Sequence, residues 1–428
     1  MNRNLKLLGA SLAASLLLVG LAGCELPGAV GGNQQQQQQN GDQQNGDQQN
    51  QSGKTIHEGT ITEDQTWKKA DGPHIIRNSV YVESESGVTL TIEPGTEIRF
   101  EAESSLHFGY HSGTRGALIA KGTEEAPIRF TSASSSPQKG DWGTLYLGNG
   151  ASSSILEHCE ILYGGGGGSD TAALTVYGRN NKPTVKHSTI EGSAAYGISL
   201  DDEASFKVFE NNTIKGSVAY PLRSGINELG SLGVGNTFED NAKAAIYVNS
   251  GTVSESATWR NFGIPYRLFN LNFVESADSA PVLTIEPGCT LEFGQDAGLN
   301  VGYHSGTQGA LYAVGTEQNP ITFTGLGKTA GSWEGLYLSE GTIPGVEGNT
   351  STTVIEHAVI EYGGASSSSG LLTLYSAKPL VKNVTFRQAG TGMGIYLTGD
   401  QSKNPDLTQL NTQNTYEGTW TMEVYVDM

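Results

Sequence analysis

The chain has 428 residues, of which 58 are glycine and only four are methionine, a composition that indicates many turns and little helix. Its formal net charge of −19 at pH 7 argues against the basic face that the phosphates of duplex nucleic acid require, so we expect no nucleic-acid partner. Three cysteines are too few for a disulfide-built scaffold.

The N-terminus has the features of an export signal. Arg3 and Lys6 precede an apolar run over residues 7–21, which is too short to span a bilayer comfortably. The run ends in Leu-Ala-Gly-Cys at residues 21–24, which resembles a bacterial lipobox. The resemblance implies that residues 1–23 are a lipoprotein signal peptide and that a lipid on Cys24 anchors the chain to a membrane. An ordinary signal peptide with a free cysteine is the alternative.

The segment after Cys24 indicates where the protein is located and how it is connected to its anchor. Glu25 differs from the aspartate that often marks retention at the inner membrane, so we expect an exported protein at the outer membrane or cell surface. Residues 24–54 are dominated by Gln, Asn, Gly and Asp and cannot bury enough apolar surface to offset their ordering entropy. We therefore predict a disordered tether over this segment.

The rest of the chain is a duplication. Residues 90–131 align without a gap with residues 283–324 and are identical at 25 of 42 positions. Shorter matches on either side extend the duplication to two homologous halves, residues 59–250 and 251–428. Such a repeat is typical of a solenoid.

A shorter period lies inside each half. The apolar pairs Leu174/Val176, Ile198/Leu200 and Ile246/Val248 fall on a spacing of 24 residues or twice that, and within each pair apolar and other residues alternate as in a strand. Twenty-four residues hold about three short strands with their turns. The pattern predicts an all-β, single-stranded right-handed parallel β-helix with about 24 residues per rung.

Four segments carry a family resemblance. The Pro-Gly turn after Leu-Thr-Ile-Glu, the step over residues 122–131, the strand over 142–147 and the segment 157–165 resemble those of bacterial secreted β-helix repeat proteins of the pectate-lyase-like superfold. The resemblance implies the architecture but no chemistry, because this superfold includes lyases, hydrolases, adhesins and proteins without known activity.

The cysteines and most histidines fit structural roles. Cys159 and Cys289 fall several rungs apart and are expected to be free. His158 and His187 occupy a column whose other members are Asn, Gly and His, which tolerate tight backbone turns. We predict a turn ladder there, with no metal site and no cofactor; Ca²⁺ enters only if the chain is a lyase.

Two copies of Gly-Tyr-His-Ser-Gly-Thr form secondary candidates for ligand binding. They contain Tyr110 and His111 in the first half, and Tyr303 and His304 in the second. Catalysis is disfavoured because neighbouring Ser and His side chains on an extended chain point apart, and because no acidic residue adjoins the motif to orient the ring.

The outer face of the best-defined sheet provides the main candidates. Residues between the inward apolar positions point outward, and many of them are tyrosines. We expect an exposed line of rings on which sugars stack, although tyrosines that merely stack on one another across strands would give the same pattern. The candidate ligand-binding residues are Tyr146, Tyr247, Tyr337, Tyr396 and Tyr425.

Weaker candidates suit catalysis. Asp201 and Asp202 follow one strand and Arg223 lies one rung away. Paired carboxylates can act as acid and base on a glycosidic bond, and an arginine can serve a lyase. Solvated turn carboxylates are the simpler interpretation, since charged turns are common in an acidic protein.

These observations lead to three hypotheses. The first is a lipid-anchored, non-catalytic protein that binds polysaccharide or mediates adhesion through its tyrosines. The second is a polysaccharide lyase or glycoside hydrolase, and the third is a purely structural envelope protein. The chain also ends on a strand with only Asp427 and Met428 beyond it, so we expect no capping helix. We predict that this edge is protected either by the charges of Glu423 and Asp427 or by end-to-end self-association.

Overall fold

The structure, a computed structural model, describes residues 48–50, 53–169 and 171–427. The predicted signal peptide (residues 1–23) and the lipidated Cys24 lie outside these residues. No helix in the described part is long and apolar enough to cross a membrane.

Short strands make up most of the described chain and belong to three sheets. The largest sheet contains the strands Gln48–Asn50, Lys54–Ile61, His74–Val82, Glu97–Phe100, Ser105–Phe108, Ile128–Ser132, Leu145–Leu147, Cys159–Leu162, Ala172–Tyr177, Thr189–Glu191, Tyr196–Asp201, Thr213–Lys215, Leu222–Gly225, Thr237–Glu239, Ile246–Asn249, Ala257–Trp259, Tyr266–Leu268, Val282–Ile285, Thr290–Phe293, Ala310–Val314, Ile321–Gly325, Val354–Glu361, Leu380–Arg387 and Thr415–Glu417.

Each half contributes one further sheet. The six-stranded sheet contains Gln65–Trp67, Val88–Ile92, Gly116–Lys121, Ile155–Glu157, Thr184–Lys186 and Val208–Glu210. The seven-stranded sheet contains Thr252–Val253, Leu271–Val274, Gly298–Val301, Gly335–Leu338, Leu372–Tyr375, Met393–Thr398 and Met422–Val426. The helical segments of the described part are Lys69–Asp71, Glu228–Ser231 and Gln401–Lys403, which are 3-10 turns, and the α-helix Leu407–Thr412.

The strands stack in parallel from rung to rung, which confirms the predicted all-β solenoid. Leu174 pairs with Ile198, Ile198 with Leu222, and Leu222 with Ile246, so the predicted step of 24 residues holds in this region. Other rungs are longer because loops are inserted at their corners: Ser105 and Thr144, neighbours on adjacent rungs, are 39 residues apart in sequence.

The interior of the solenoid is a continuous apolar column. Leu145, Leu174, Ile198, Leu222 and Ile246 are all fully buried in one core cluster. Burial of each such side chain stabilises the fold by about 2 kcal/mol. Because every rung contacts only its neighbours, stability accumulates along the axis.

The predicted turn ladder is confirmed. His158 and His187 have φ angles of 48° and 51°, in the left-handed region, and their rings stack with centroids 5.0 Å apart. Asn211, in the next rung, has the same backbone conformation. Cys159 and Cys289 are free and buried, also as expected.

The two ends of the solenoid differ from expectation. The predicted tether over 24–54 includes the strand Gln48–Asn50, which pairs antiparallel with residues 54–56; this pairing satisfies backbone groups on the first edge. At the other end, sequence reasoning missed a short helix that precedes the last two strands, whereas the last strand, Met422–Val426, has only exposed or half-buried side chains. The helix Leu407–Thr412 packs against the strand Met422–Val426 and buries Leu410, and the Asp406 side chain caps its N-terminus. Self-association at this end stays a prediction.

Candidate ligand-binding surfaces

Outward residues of successive rungs form two columns on two different sheets. The first column lies on the largest sheet and consists of Tyr81, His107, Tyr146, Thr175, Ser199, Arg223 and Tyr247. The second column lies on the seven-stranded sheet and consists of Phe273, Asn300, Tyr337, Thr373, Tyr396 and Tyr425. The expectation of a single tyrosine line across both halves is therefore wrong.

The separation arises at the junction of the halves. Ile246, in the strand of Tyr247, pairs with Tyr266, and Tyr266 pairs with Leu291. Leu291 is the sequence counterpart of Ile98, which belongs to a different ladder from Tyr146. The strands of the first column thus continue, in the second half, into strands that are not their sequence counterparts. Each strand of the second half therefore lies on the face of the solenoid next to the one that its counterpart occupies in the first half.

A buried glutamate organises the loop beside the first column. The Glu83 carboxylate accepts hydrogen bonds from the backbone N–H groups of Tyr110 (2.8 Å) and His111 (3.0 Å), from Thr114 Oγ1 (2.8 Å) and from His111 Nδ1. The loop begins at Gly109, with φ 52°, where an added Cβ would lie 2.7 Å from the Gly150 backbone. Only glycine fits this approach, so the path of the loop is fixed.

Anchoring of the loop holds Tyr110 against the first column. The Tyr110 ring meets the Tyr146 ring edge to face at 5.2 Å, and Tyr146 stacks on Tyr177 at 6.3 Å. Tyr110 is 47% exposed and Tyr177 is 41% exposed. We call the rings of Tyr110, Tyr146 and Tyr177 with the loop 109–114 the first surface.

The second half repeats this arrangement. Glu275 accepts hydrogen bonds from the N–H groups of Tyr303 (2.7 Å) and His304 (3.0 Å), from Thr307 Oγ1 (2.9 Å) and from His304 Nδ1. The Tyr303 ring meets the Tyr337 ring at 5.4 Å and is itself 47% exposed. The second surface comprises Tyr303, Tyr337 and Tyr375, the last 39% exposed, with the loop 302–307.

The electrostatics of the first surface favour uncharged rings around one buried anion. Burial alone would raise the pKa of Glu83, but the hydrogen bonds from His111, Thr114 and Tyr110 together hold that pKa below its ordinary value of 4.5. Burial lowers the pKa of His107 to about 4, so this imidazole is neutral at pH 7. Burial likewise raises the pKa of Tyr146, which keeps its phenol protonated.

The remaining candidate tyrosines have structural contacts. Tyr247 packs with Tyr196 and Tyr220 in a small apolar cluster outside the main core. Tyr396 is only 7% exposed, and its hydroxyl donates to Asp427 at 2.9 Å. Tyr425 stacks on Tyr396 at 5.3 Å. Tyr396 is too buried to receive a sugar ring.

The weak catalytic candidates differ in their hydrogen-bond partners and exposure. Arg223 Nη2 donates to Asp201 at 2.8 Å and its Nε donates to Ser199 Oγ at 3.0 Å, so this aspartate is held in an ion pair. Asp202, exposed on the following turn, has a φ of 53°. Asp201 and Asp202 both border a groove of about 430 Å³ that is also lined by Glu228, whose pKa is raised by burial.

Sequence reasoning missed the residues that build the surfaces. Glu83 and Glu275 lie outside the ungapped 42-residue alignment, about 28 residues before their loops, yet both stand in the tripeptide Val-Glu-Ser. Tyr177 and Tyr375 also occupy equivalent positions, two residues beyond the threonines that pair with Tyr146 and Tyr337. The repeated Val-Glu-Ser was the available signal.

The described part of the chain holds no cluster of three or more His, Cys, Asp or Glu residues placed to bind a metal ion. Comparison with known proteins gives two family models. A pectate-lyase like beta helix domain matches residues 59–198, and a right handed beta helix region matches residues 172–307. No curated protein and no solved structure matches the chain. Together, the stacked parallel strands and these two matches identify a right-handed parallel β-helix solenoid.

Proposed function

We propose that this protein binds polysaccharide through the first and second surfaces. The observation that carries the proposal is the repetition of the same assembly, an exposed tyrosine on a glutamate-anchored loop beside two outward tyrosines, in both halves of the chain. Stacking of tyrosines within a sheet does not account for Tyr110 and Tyr303, because these residues lie on loops outside the strands.

The chemistry of the surfaces suits a sugar. Ring faces pack against the C–H groups of a pyranose, and phenol hydroxyls donate hydrogen bonds to its oxygens. The loops are held by four hydrogen bonds each, so little ordering entropy is lost when a ligand binds. The neutral rings and the buried carboxylate favour a neutral polysaccharide over an acidic one.

The test is binding of the full-length protein to a glycan array, followed by calorimetry with the best oligosaccharide. Tyr110→Ala together with Tyr303→Ala should lower the affinity of each surface about fivefold, since each surface loses one aromatic contact that contributes about 1 kcal/mol. Tyr312→Ala, which removes a half-buried tyrosine from another ladder, is the matched control and should bind like the wild type. Unchanged affinity of the double variant would contradict the proposal.

The proposal also includes anchoring of the protein to a membrane. A lipid on Cys24 would hold the solenoid at the membrane, with the surfaces facing polysaccharide outside it. Cys24→Ala should move the protein from the membrane fraction to the soluble fraction. Glycan binding by the variant should be unaffected, and a protein that stays soluble with Cys24 intact would remove this part of the proposal.

A second candidate function is hydrolysis of a glycosidic bond at the groove beside Asp202. The raised pKa of Glu228 suits a general acid, and Asp202 borders the same groove. Release of reducing ends that stops with Glu228→Gln, while binding at the two surfaces persists, would establish this activity. Absence of any release from the glycans bound on the array would exclude it.

A further inference from the structure

The first and second surfaces are equivalent in composition but face different directions. The first lies beside the largest sheet and the second beside the seven-stranded sheet, because the second half is turned by one face. Leu106 lies in the strand just before Tyr110, and Leu291 lies in the rung that contains the strand before Tyr303. Seven successive strand pairings connect the strand of Leu106 to the strand of Leu291. At about 4.8 Å per rung, the surfaces are separated by about 34 Å along the axis.

This separation is rigid. Each of those seven pairings is a parallel strand contact, and the interior between the surfaces is filled by fully buried residues such as Leu174, Ile198 and Leu222. Among the residues that the structure describes between the surfaces, no linker interrupts the stack, so neither the distance nor the angle between the surfaces can adjust to one ligand. The two surfaces lie on different faces of the solenoid. An extended glycan that lies along the face of the first surface therefore does not reach the second surface.

We infer that one molecule binds two separate polysaccharide chains and thereby cross-links them. The inference rests on the proposed function, since it assigns two independent sites of the same type. Linked binding sites also raise the apparent affinity for an immobilised polymer far above that of either site. Protein molecules on a membrane would in this way hold a network of glycan rather than single chains.

The two surfaces are built from different residues, so substitutions can remove binding at one surface and leave the other intact. Tyr81 and His107 pack near Tyr110 in the first surface, whereas Phe273 and Asn300 hold the corresponding positions in the second. Tyr110→Ala with Tyr177→Ala removes exposed rings from the first surface alone. Tyr303→Ala with Tyr375→Ala does the same for the second, and each pair serves as the matched control for the other.

The experiment uses the full-length protein with a short oligosaccharide and with the long polymer of the same sugar. We expect two oligosaccharides per wild-type chain and one per chain in each paired variant. Light scattering of the long polymer should rise on addition of wild type and stay at baseline with either variant. The affinity of either variant for the immobilised polymer should fall by about 10²- to 10⁴-fold relative to the wild type.

The outcomes separate the two proposals. A wild type that binds no oligosaccharide overturns the proposed function itself. A stoichiometry of one, or scattering that persists in both paired variants, leaves glycan binding intact and overturns bivalency. Two oligosaccharides per chain without any rise in scattering would show that one polymer chain occupies both surfaces, which also overturns cross-linking.

Discussion

Removing the Glu83 carboxylate should release the loop of the first surface. Glu83 accepts four hydrogen bonds, and hydrogen bonds to a charged group contribute about 1.5–3 kcal/mol each. In Glu83→Ala, water reaches the freed donors at the exposed side of the loop and replaces part of this energy. We therefore expect the loop to open more easily by about 3 kcal/mol, which corresponds to about a 100-fold change in the opening equilibrium.

Hydrogen exchange measures this opening directly. The amides of Tyr110 and His111 donate to Glu83, so in Glu83→Ala their exchange should accelerate about 100-fold. The equivalent amides of Tyr303 and His304 donate to Glu275 and are an internal control in the same molecule. Glycan binding at the first surface should weaken together with the loss of protection.

The same interaction predicts a pH dependence. The pKa of Glu83 in the folded protein lies below its ordinary value of 4.5, so the carboxylate stabilises the loop above pH 4.5, and this stabilisation is lost as the pH falls through the lowered pKa. Both loops should therefore lose protection in acid. Unchanged exchange over residues 109–114 in Glu83→Ala, or equal acceleration over 302–307, would refute the proposed role of this glutamate.

Three further predictions concern the solenoid. Leu222→Ala should lower the free energy of unfolding by about 3 kcal/mol in urea denaturation, because its side chain is fully buried. Val218→Ala, at an exposed position of the same rung, should lower it by less than about 0.5 kcal/mol, and equal effects of the two substitutions would contradict the assignment of Leu222 to the core. Burial and the neighbouring His74 lower the pKa of His57 from 6.5 to about 3, so its neutral form stabilises the fold fully above pH 6.5 and progressively less as the pH falls towards 3. Between pH 7 and pH 4.5, the free energy of urea unfolding should fall by about 3 kcal/mol more in the wild type than in His57→Gln, and an identical loss in both proteins would argue against this linkage. Cys159 and Cys289, whose pKa values burial raises to about 12, should resist iodoacetamide at pH 8 until the chain unfolds, as read by mass spectrometry; rapid labelling of the native protein would show that the thiols are accessible.

The stacking of the solenoid could be predicted from sequence because its signals are local and repeated. Ile198, Leu222 and Ile246 recur at a fixed step, and the same step is the strand register of the structure. The turn ladder of His158 and His187 followed from residue types that tolerate positive φ.

The orientation of the halves could not be predicted because it depends on one junction. Equivalent sequences in the two halves form equivalent strands, but the pairing of Ile246 with Tyr266 decides on which face the second half begins. No local pattern encodes that choice. Tyr146 and Tyr337 therefore have matching neighbours and lie on different sheets.

The candidate site was predicted only in part. Tyr110, His111, Tyr303 and His304 were secondary candidates, yet the structure gives them the most exposed and best anchored positions. The expectation that no acidic residue orients the histidines failed because Glu83 approaches His111 from the preceding rung, 28 residues earlier in the chain. Contacts between rungs join residues that a linear motif does not connect.

A crystal structure of the full-length protein with the oligosaccharide selected on the array would test the central claim most directly. Our account predicts sugar rings packed against Tyr110 in the first surface and against Tyr303 in the second. An oligosaccharide bound in the groove of Asp202 and Glu228, with both surfaces empty, would contradict it.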